Sequence, residues 1–240
     1  MPIPSIKNSG AAFTSNTAVP GSSLTLTKPT GANAPAVGDG LLIIVGNDDN
    51  TTTAQWDNTT NKPTDFELIN EAGNSSSDAH AAAFYRIADG TEGATVDIPA
   101  QSADDAWWFY IVLENVNATM LDVTGADYNG SSASSHAPAQ VTTTAANCLA
   151  FSILAGDGGD VYPFTVSGTG WAEVAEIQAG TGSGNASGVF ATKEMPTAGT
   201  TGTVTVTLSS SDGASGFLFS ILGTVGPEIS SVGVDDEVDD

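Results

Sequence analysis

Few side chains in this chain of 240 residues are equipped for chemistry, so each can be weighed in turn. There are two histidines, His80 and His136, and one cysteine, Cys148. His80 stands at the start of an expected strand; His136 stands in a Ser-rich stretch read as a loop. Neither belongs to a Gly-x-Ser-x-Gly elbow or a His-Glu-x-x-His pair, and no phosphate-cradling loop ends in Gly-Lys-Ser/Thr. The Gly-rich run 180–185 is followed by neither a basic residue nor a helix. Asp104 and Asp105 are adjacent carboxylates. Neighbours on a strand point to opposite faces, so they are not set to share a proton as a glycosidase pair does. The residues therefore predict a protein that is not an enzyme.

Binding chemistry has more candidates. Asn47-Asp48-Asp49-Asn50 and Asp157-Gly158-Gly159-Asp160 fall at equivalent turns, each just after a similar apolar run. Oxygen-rich turns of this kind hold Ca²⁺, which makes Asp48, Asp49, Asp157 and Asp160 candidate metal ligands. The plainer reading is a pair of solvated turns, and no other cofactor is implied. Trp56 lies in a polar stretch and is read as an exposed aromatic. With Tyr128 it is the candidate carbohydrate contact. Trp107 and Trp108 begin an apolar run and Trp171 aligns with Phe66, so these are read as packing residues. Asn50, Asn58, Asn74, Asn117, Asn129 and Asn185 each open an Asn-x-Ser/Thr triplet, an acceptor only where a chain meets a glycosylation machinery. Cys148 lies among apolar residues and reads as a small buried hydrophobe.

The charge balance excludes several partners. Asp plus Glu number 28 against 5 Lys plus Arg, for a net charge of -23. Sequence-independent nucleic-acid binding needs clustered cations, and there is no such cluster. An anionic membrane surface is excluded on the same ground. The longest pure apolar run, 107–113, is far short of the roughly 20 residues of a spanning helix. The first residues lack a basic start and an apolar core, so no signal peptide is expected. Like charge at this density repels itself, and at ~1 M salt the Debye length falls to about 3 Å. Scarce lysine with abundant aspartate points to a protein of salt-rich surroundings.

The sequence that must position these residues repeats itself. Residues 39–49 resemble 147–157, 66–72 resemble 171–177, 81–85 resemble 188–192, 94–98 resemble 202–208, and 104–113 resemble 212–221. Residues 23–27 and 203–208 alternate polar and apolar, as strands with one wet face do. The continuous apolar runs 41–45, 107–113, 149–154 and 217–222 predict central strands covered on both faces. No long 3.6-residue stripe is present, and Gly, Asn, Asp and Ser clusters supply the turns, with 128–138 read as a loop and Asp212-Gly213 as a turn before the last strand. About six strands per half are expected. The fold class is all-β: an antiparallel two-sheet sandwich, jelly-roll-like, built from two similar halves. The expected organisation is an N-terminal arm (1–10), a first β half (11–116), a second (117–222), joined as one pseudo-symmetric body, and an acidic tail (223–240).

Three segments carry a resemblance: Gly38-Asp39-Gly40-Leu41-Leu42, Tyr85-Arg86-Ile87-Ala88-Asp89-Gly90, and Asp122-Val123-Thr124-Gly125-Ala126. With them the chain resembles β-sandwich proteins of tailed phages and haloarchaeal tailed viruses, over roughly residues 20–222. The second half departs from the pattern, with Thr192-Lys193-Glu194-Met195-Pro196 in place of the Tyr-Arg segment. The resemblance implies a virion component: a tail-fibre, baseplate or receptor-binding module for host attachment, or a capsid turret or decoration. It implies other virion proteins as partners, a homo-oligomer (trimer or pentamer), and host surface glycans as a further partner. It carries no catalytic residues.

Overall fold

The computed structural model describes residues 2–7, 23–48, 55–56, 59–73, 78–99, 105–179 and 185–224. In chain order the strands are β1 (Ser5–Ile6), β2 (Leu24–Thr27), β3 (Gly40–Asp48), β4 (Glu67–Gly73), β5 (Ala79–Ile87), β6 (Thr95–Ile98), β7 (Ala106–Glu114) and β8 (Val116–Thr124). They continue as β9 (Tyr128–His136), β10 (Thr142–Thr143), β11 (Cys148–Asp157), β12 (Phe164–Ser167), β13 (Ala172–Ala179), β14 (Ala186–Met195), β15 (Gly199–Thr200) and β16 (Thr205–Gly223). The described residues hold one short 3₁₀ turn, Gly31–Asn33. The protein is an all-β antiparallel sandwich built from two similar halves.

The first sheet runs β1-β7-β3-β5-β4, and the second contains β16-β11-β14-β13 in the matching order. β3 is buried at every position because both its faces are covered. Leu42 and Ile44 face the second sheet, in one core with Phe109, Phe151, Ile153, Phe190 and Phe219. Leu41, Ile43 and Val45 face outward, under a two-stranded lid of β2 and β6 that supplies Leu24, Leu26 and Ile98. The lid alternates as a one-faced strand must: Leu24 and Leu26 are buried, Thr25 and Thr27 exposed. β11 is sandwiched in the same way, with Val141, Trp171 and Val204 over one stretch of its outer face and Val161, Phe164 and Val206 over the other.

The halves touch reciprocally. β5 contacts β11 as β14 contacts β3; β5 contacts β16 as β14 contacts β7; β4 contacts β16 as β13 contacts β7. That is the pattern of a two-fold, self-complementary interface. Even the irregularities match. The ladder of β4 slips between Leu68 and Asn70, and that of β13 between Glu173 and Ala175. Such bulges twist an edge strand away from further pairing.

Four expectations need correction. Aligned by sequence, Ile44 falls opposite Ser152. By register it answers to Ile153: Ile44 pairs Ala83 and Phe109, as Ile153 pairs Phe190 and Phe217. A continuous apolar run carries no parity, and a one-residue slip exchanges the two faces of a strand. The 128–138 stretch, read as a loop, is mostly β9, because its small residues add to the edge of β16 from Val206 to Gly216. The turn expected at Asp212-Gly213 lies inside β16. Residues 2–7, read within a mobile arm, are tied down. Ser5 and Ile6 pair Glu114 and Leu113, and the Lys7 ammonium lies 3.1 Å from Asp39 and 3.5 Å from Glu114. The acidic run 235–240 lies outside the described residues.

Candidate functional site

The register lines up the ends of the long strands, so chemistry-bearing residues gather at two poles. At one pole are Asp48 ending β3, Ala79 opening β5, Asp157 ending β11 and Ala186 opening β14. Asp48 and Asp157, singled out in sequence, do meet here. They are joined by Asp78 and Asp212, two residues that sequence reasoning did not connect to them. Burial, then the charges of Asp212, Asp48 and Asp78, push the Asp157 carboxyl up to about 7. Asp105 in this region accepts a hydrogen bond from the Asn185 side-chain amide, tying the first half to the second. Among the described residues the Asp160 side chain bonds none of these carboxylates; its backbone carbonyl accepts from Ser209 Oγ at 3.0 Å. Asp49 and Asp104 lie outside the described residues. Among the described residues no three acidic, histidine or cysteine side chains converge as a metal-holding group.

Both histidines sit inside the fold. His80 is buried, with Nδ1 3.7 Å from Glu71 Oε1. Glu71 also accepts the backbone N–H groups of Gln55 (2.6 Å) and Trp56 (3.2 Å), which fastens that segment onto β4. Asn47 completes the cluster by donating to Gln55 Oε1. His136, expected in a loop, closes β9. Its Nε2 lies 3.0 Å from the Ala133 carbonyl and 3.1 Å from that of Asp212. Carbonyls only accept, so in the neutral ring Nε2 carries the proton and Nδ1 accepts from the Tyr128 hydroxyl at 3.0 Å. This is a latch between β9 and β16. Neither histidine lines any of the three clefts described below.

The aromatic platform is not assembled. Trp56 is 3 % exposed, packed edge-on to Phe84 under the outer face of the first sheet, so it is not the exposed aromatic expected. Its polar neighbours in sequence hid an apolar destination. Tyr128 is half-buried, its hydroxyl engaged by His136. Cys148 is buried, as expected, and burial followed by the Asp122 charge pushes its thiol up to about 12. Of the Asn-x-Ser/Thr sites, Asn185 is engaged with Asp105, Asn129 accepts from Ser215, and Asn117 accepts from Thr119. Asn50, Asn58 and Asn74 lie outside the described residues.

Clefts are found among the described residues of the opposite pole. A cleft of about 740 Å³ is lined by Asp65, Glu67, Tyr85, Arg86, Asp89 and Thr119 among others. A smaller one of about 240 Å³ shares Asp65 and Arg86 and adds Glu92. Arg86 is the shared floor. Its guanidinium lies 3.2 Å from Asp89, 3.5 Å from Asp65 and 3.5 Å from Glu92, with the Phe66 ring 5.9 Å from its centre. Glu92 turns back to accept the Asp89 and Gly90 N–H groups. The Tyr85-Arg86-Ile87-Ala88-Asp89-Gly90 segment thus closes a strand end with its own ion pairs. The register places Lys193 of β14 where Arg86 stands in β5. Leu41 pairs Arg86 as Ala150 pairs Lys193. Lys193 donates to the carbonyls of Thr169 (2.9 Å) and Thr201 (2.7 Å), at the floor of a cleft of about 420 Å³.

No family model, curated protein or solved structure matches this chain.

Proposed function

We propose that the chain is a non-enzymatic structural protein on the surface of a halophilic tailed virus, a tail or receptor-binding module or a capsid turret or decoration. One observation carries this reading. The side chains best suited to catalysis, His80 and His136, are engaged inside a doubly covered sandwich and line none of the three clefts described above. Such a body resists deformation, because each central strand is packed on two sides. Further support comes from the acid excess: a net charge of -23 is tolerable when salt screens it. The protein works in this reading as a homo-oligomer, a trimer or pentamer, beside other virion proteins, and carries no cofactor. Localisation in purified particles by electron microscopy with a labelled antibody tests it; absence from particles made by the encoding virus refutes it. Refolding in ~0.1 M against ~3 M NaCl tests the halophilic part, with greater stability expected in the higher salt.

A carbohydrate-binding module is the second reading. Burial of Trp56 removes that side chain as its contact. The Tyr85 cleft is the observation that favours it.

A further inference from the structure

We propose that the groove beside β5 and β8 binds a neutral pyranose sugar, through the Asp89 and Glu67 carboxylates, the Tyr85 ring and the Arg86 guanidinium. The inference goes beyond a structural role, and it relies on the surface-attachment reading only for where such a sugar would be met.

The two halves supply the internal comparison. At the related position the second half needs only an ammonium bonded to two carbonyls, Lys193 with Thr169 and Thr201. Its cleft is lined by Ser167, Thr169, Thr203, Thr205 and two glycines, with neither an aromatic ring nor a carboxylate. Thr192 stands there where Tyr85 stands in the first half: Leu42 pairs Tyr85 as Phe151 pairs Thr192. The fold is therefore complete without an aromatic ring and three acids at this place. Asp65, Glu67, Tyr85 and Asp89 exceed what closing the strand end requires.

These groups are also held ready. Asp89 Oδ1 accepts from the Thr91 N–H at 2.9 Å and the Thr91 hydroxyl at 2.6 Å, while Oδ2 faces Arg86 at 3.2 Å. Its side chain nonetheless stays 58 % exposed, with acceptor capacity left over. Glu67 is oriented by the Tyr85 hydroxyl at 2.8 Å. Burial and that bond push the Tyr85 hydroxyl up to about 12, so it stays a donor at neutral pH and Glu67 stays oriented. Arg86 is fixed by three carboxylates. Groups ordered before binding lose little freedom when a ligand arrives.

The lining selects the ligand class. Carboxylates accept from hydroxyls, an aromatic ring covers the apolar face of a sugar, and Arg86 donates to ring or hydroxyl oxygens. The wall opposite β5 comes from Ala118 and Thr119. They belong to a stretch that leaves the ladder between Leu121, paired with Ile221, and Val116, paired with Gly223. A volume of about 740 Å³ lies within the range of small-ligand sites. Phosphates and other anions face the carboxylates and a net charge of -23. A lipid tail meets little apolar wall beyond Ile87 and Ala118. An amine-bearing peptide is the rival occupant.

The test uses the full chain on an array of neutral glucose-, mannose- and galactose-containing oligosaccharides, followed by calorimetric titration of the sugars retained. Spermine and an oligolysine peptide are run as cationic probes. Binding of a neutral sugar is expected to persist in molar salt and to weaken about tenfold or more on Asp89→Asn and on Glu67→Gln. Lys193→Gln, in the sister cleft, is expected to leave it unchanged. Thermal melts of each variant report folding, and Thr119→Val probes the groove from its other wall should a carboxylate variant not fold. The proposal is overturned if no array sugar binds the folded protein, or if the groove variants bind like the parent. Salt-sensitive binding of the cationic probes alone overturns it too. None of these results bears on where the protein sits in a particle, so this inference and the virion reading fail separately.

Discussion

The face-to-face packing of the halves makes a sharp prediction at Gly188. The Trp107 indole is fully buried between the sheets. A Cβ added at Gly188, on β14 of the second half, would lie 2.1 Å from Cζ2, 2.3 Å from Cε2 and 2.5 Å from Cη2 of that ring. Ordinary van der Waals contact begins near 3.4 Å, so one atom must move by more than an ångström. The ring has nowhere to retreat, because a Cβ at Gly46 of its own sheet would already lie 2.3 Å from Cζ2. Overpacking usually costs about 1–3 kcal/mol, and this site belongs at the upper end, about 3 kcal/mol. For a chain of this size that lowers Tm by about 6–12 °C. The assay is thermal and denaturant unfolding of the parent, Gly188→Ala, Trp107→Phe and the double variant, all in the same high-salt buffer. Trp107→Phe alone leaves a cavity worth about 2 kcal/mol. In the double variant the smaller ring admits the new methyl, so its loss is expected to fall short of the summed single losses by more than about 1 kcal/mol. Parental stability in Gly188→Ala, or single losses that add within about 0.5 kcal/mol, would refute the packing of these two strands across the interface.

Three further outcomes are expected. The Asp157 carboxyl is raised from 3.8 to about 7, so the folded state holds its proton more tightly than the unfolded chain. That stabilising contribution is complete below about pH 4 and is lost as pH rises through about 7; Asp157→Asn is expected to flatten the profile and to add about 1–2 kcal/mol at pH 8, after allowance for solvent at a half-buried site. Trp56→Ala is expected to cost about 3 kcal/mol or more of stability, seen by denaturant titration, and to leave sugar affinity per folded molecule unchanged. Cys148 is expected to resist a maleimide at pH 8 until denaturant is added, because its thiol is buried and pushed up to about 12; rapid native labelling, followed by mass spectrometry, would contradict its burial.

Much of the frame was legible because strand periodicity and duplication are written along the chain. Leu24-Thr25-Leu26-Thr27 alternates, and the apolar runs 41–45 and 107–113 mark strands wet on neither face. The misreadings have a common origin in partners distant in sequence. β9 reads Tyr-Asn-Gly-Ser-Ser-Ala-Ser-Ser-His and has little strand propensity of its own; it is a strand because β16 offers it an edge. Asp212-Gly213 looks like a turn yet lies inside β16, flanked by β9. Trp56 looked exposed because its neighbours are polar, whereas its place is set by Glu71, which accepts the Gln55 and Trp56 N–H groups. Of the residues at the two poles, Asp48 and Asp157 stand out by their matching turns, whereas the Tyr85-Arg86 segment stands out only as part of the resemblance, with no binding role read from it. The repeat already sets Thr192-Lys193 in place of Tyr85-Arg86, and the ladder aligns them in the same way; what the sequence does not show is the different bonding of the two cations.

The reciprocal contacts between the sheets have a consequence for how the molecule can change. In a pair made of two identical chains, every substitution appears twice across the axis. Here each side chain occurs once. Gly46 stands between Ala81 and Trp107 as Ala155 stands between Gly188 and Ser215, so the two glycines that make room for the ring, Gly46 beside it and Gly188 across the interface, are answered by alanines at Ala155 and Ala81. Tethering also keeps the partners at a fixed local concentration, and dilution cannot part them. Each half is thereby free of matching the other: Lys193 bonds two carbonyls at the place where Arg86 faces three carboxylates.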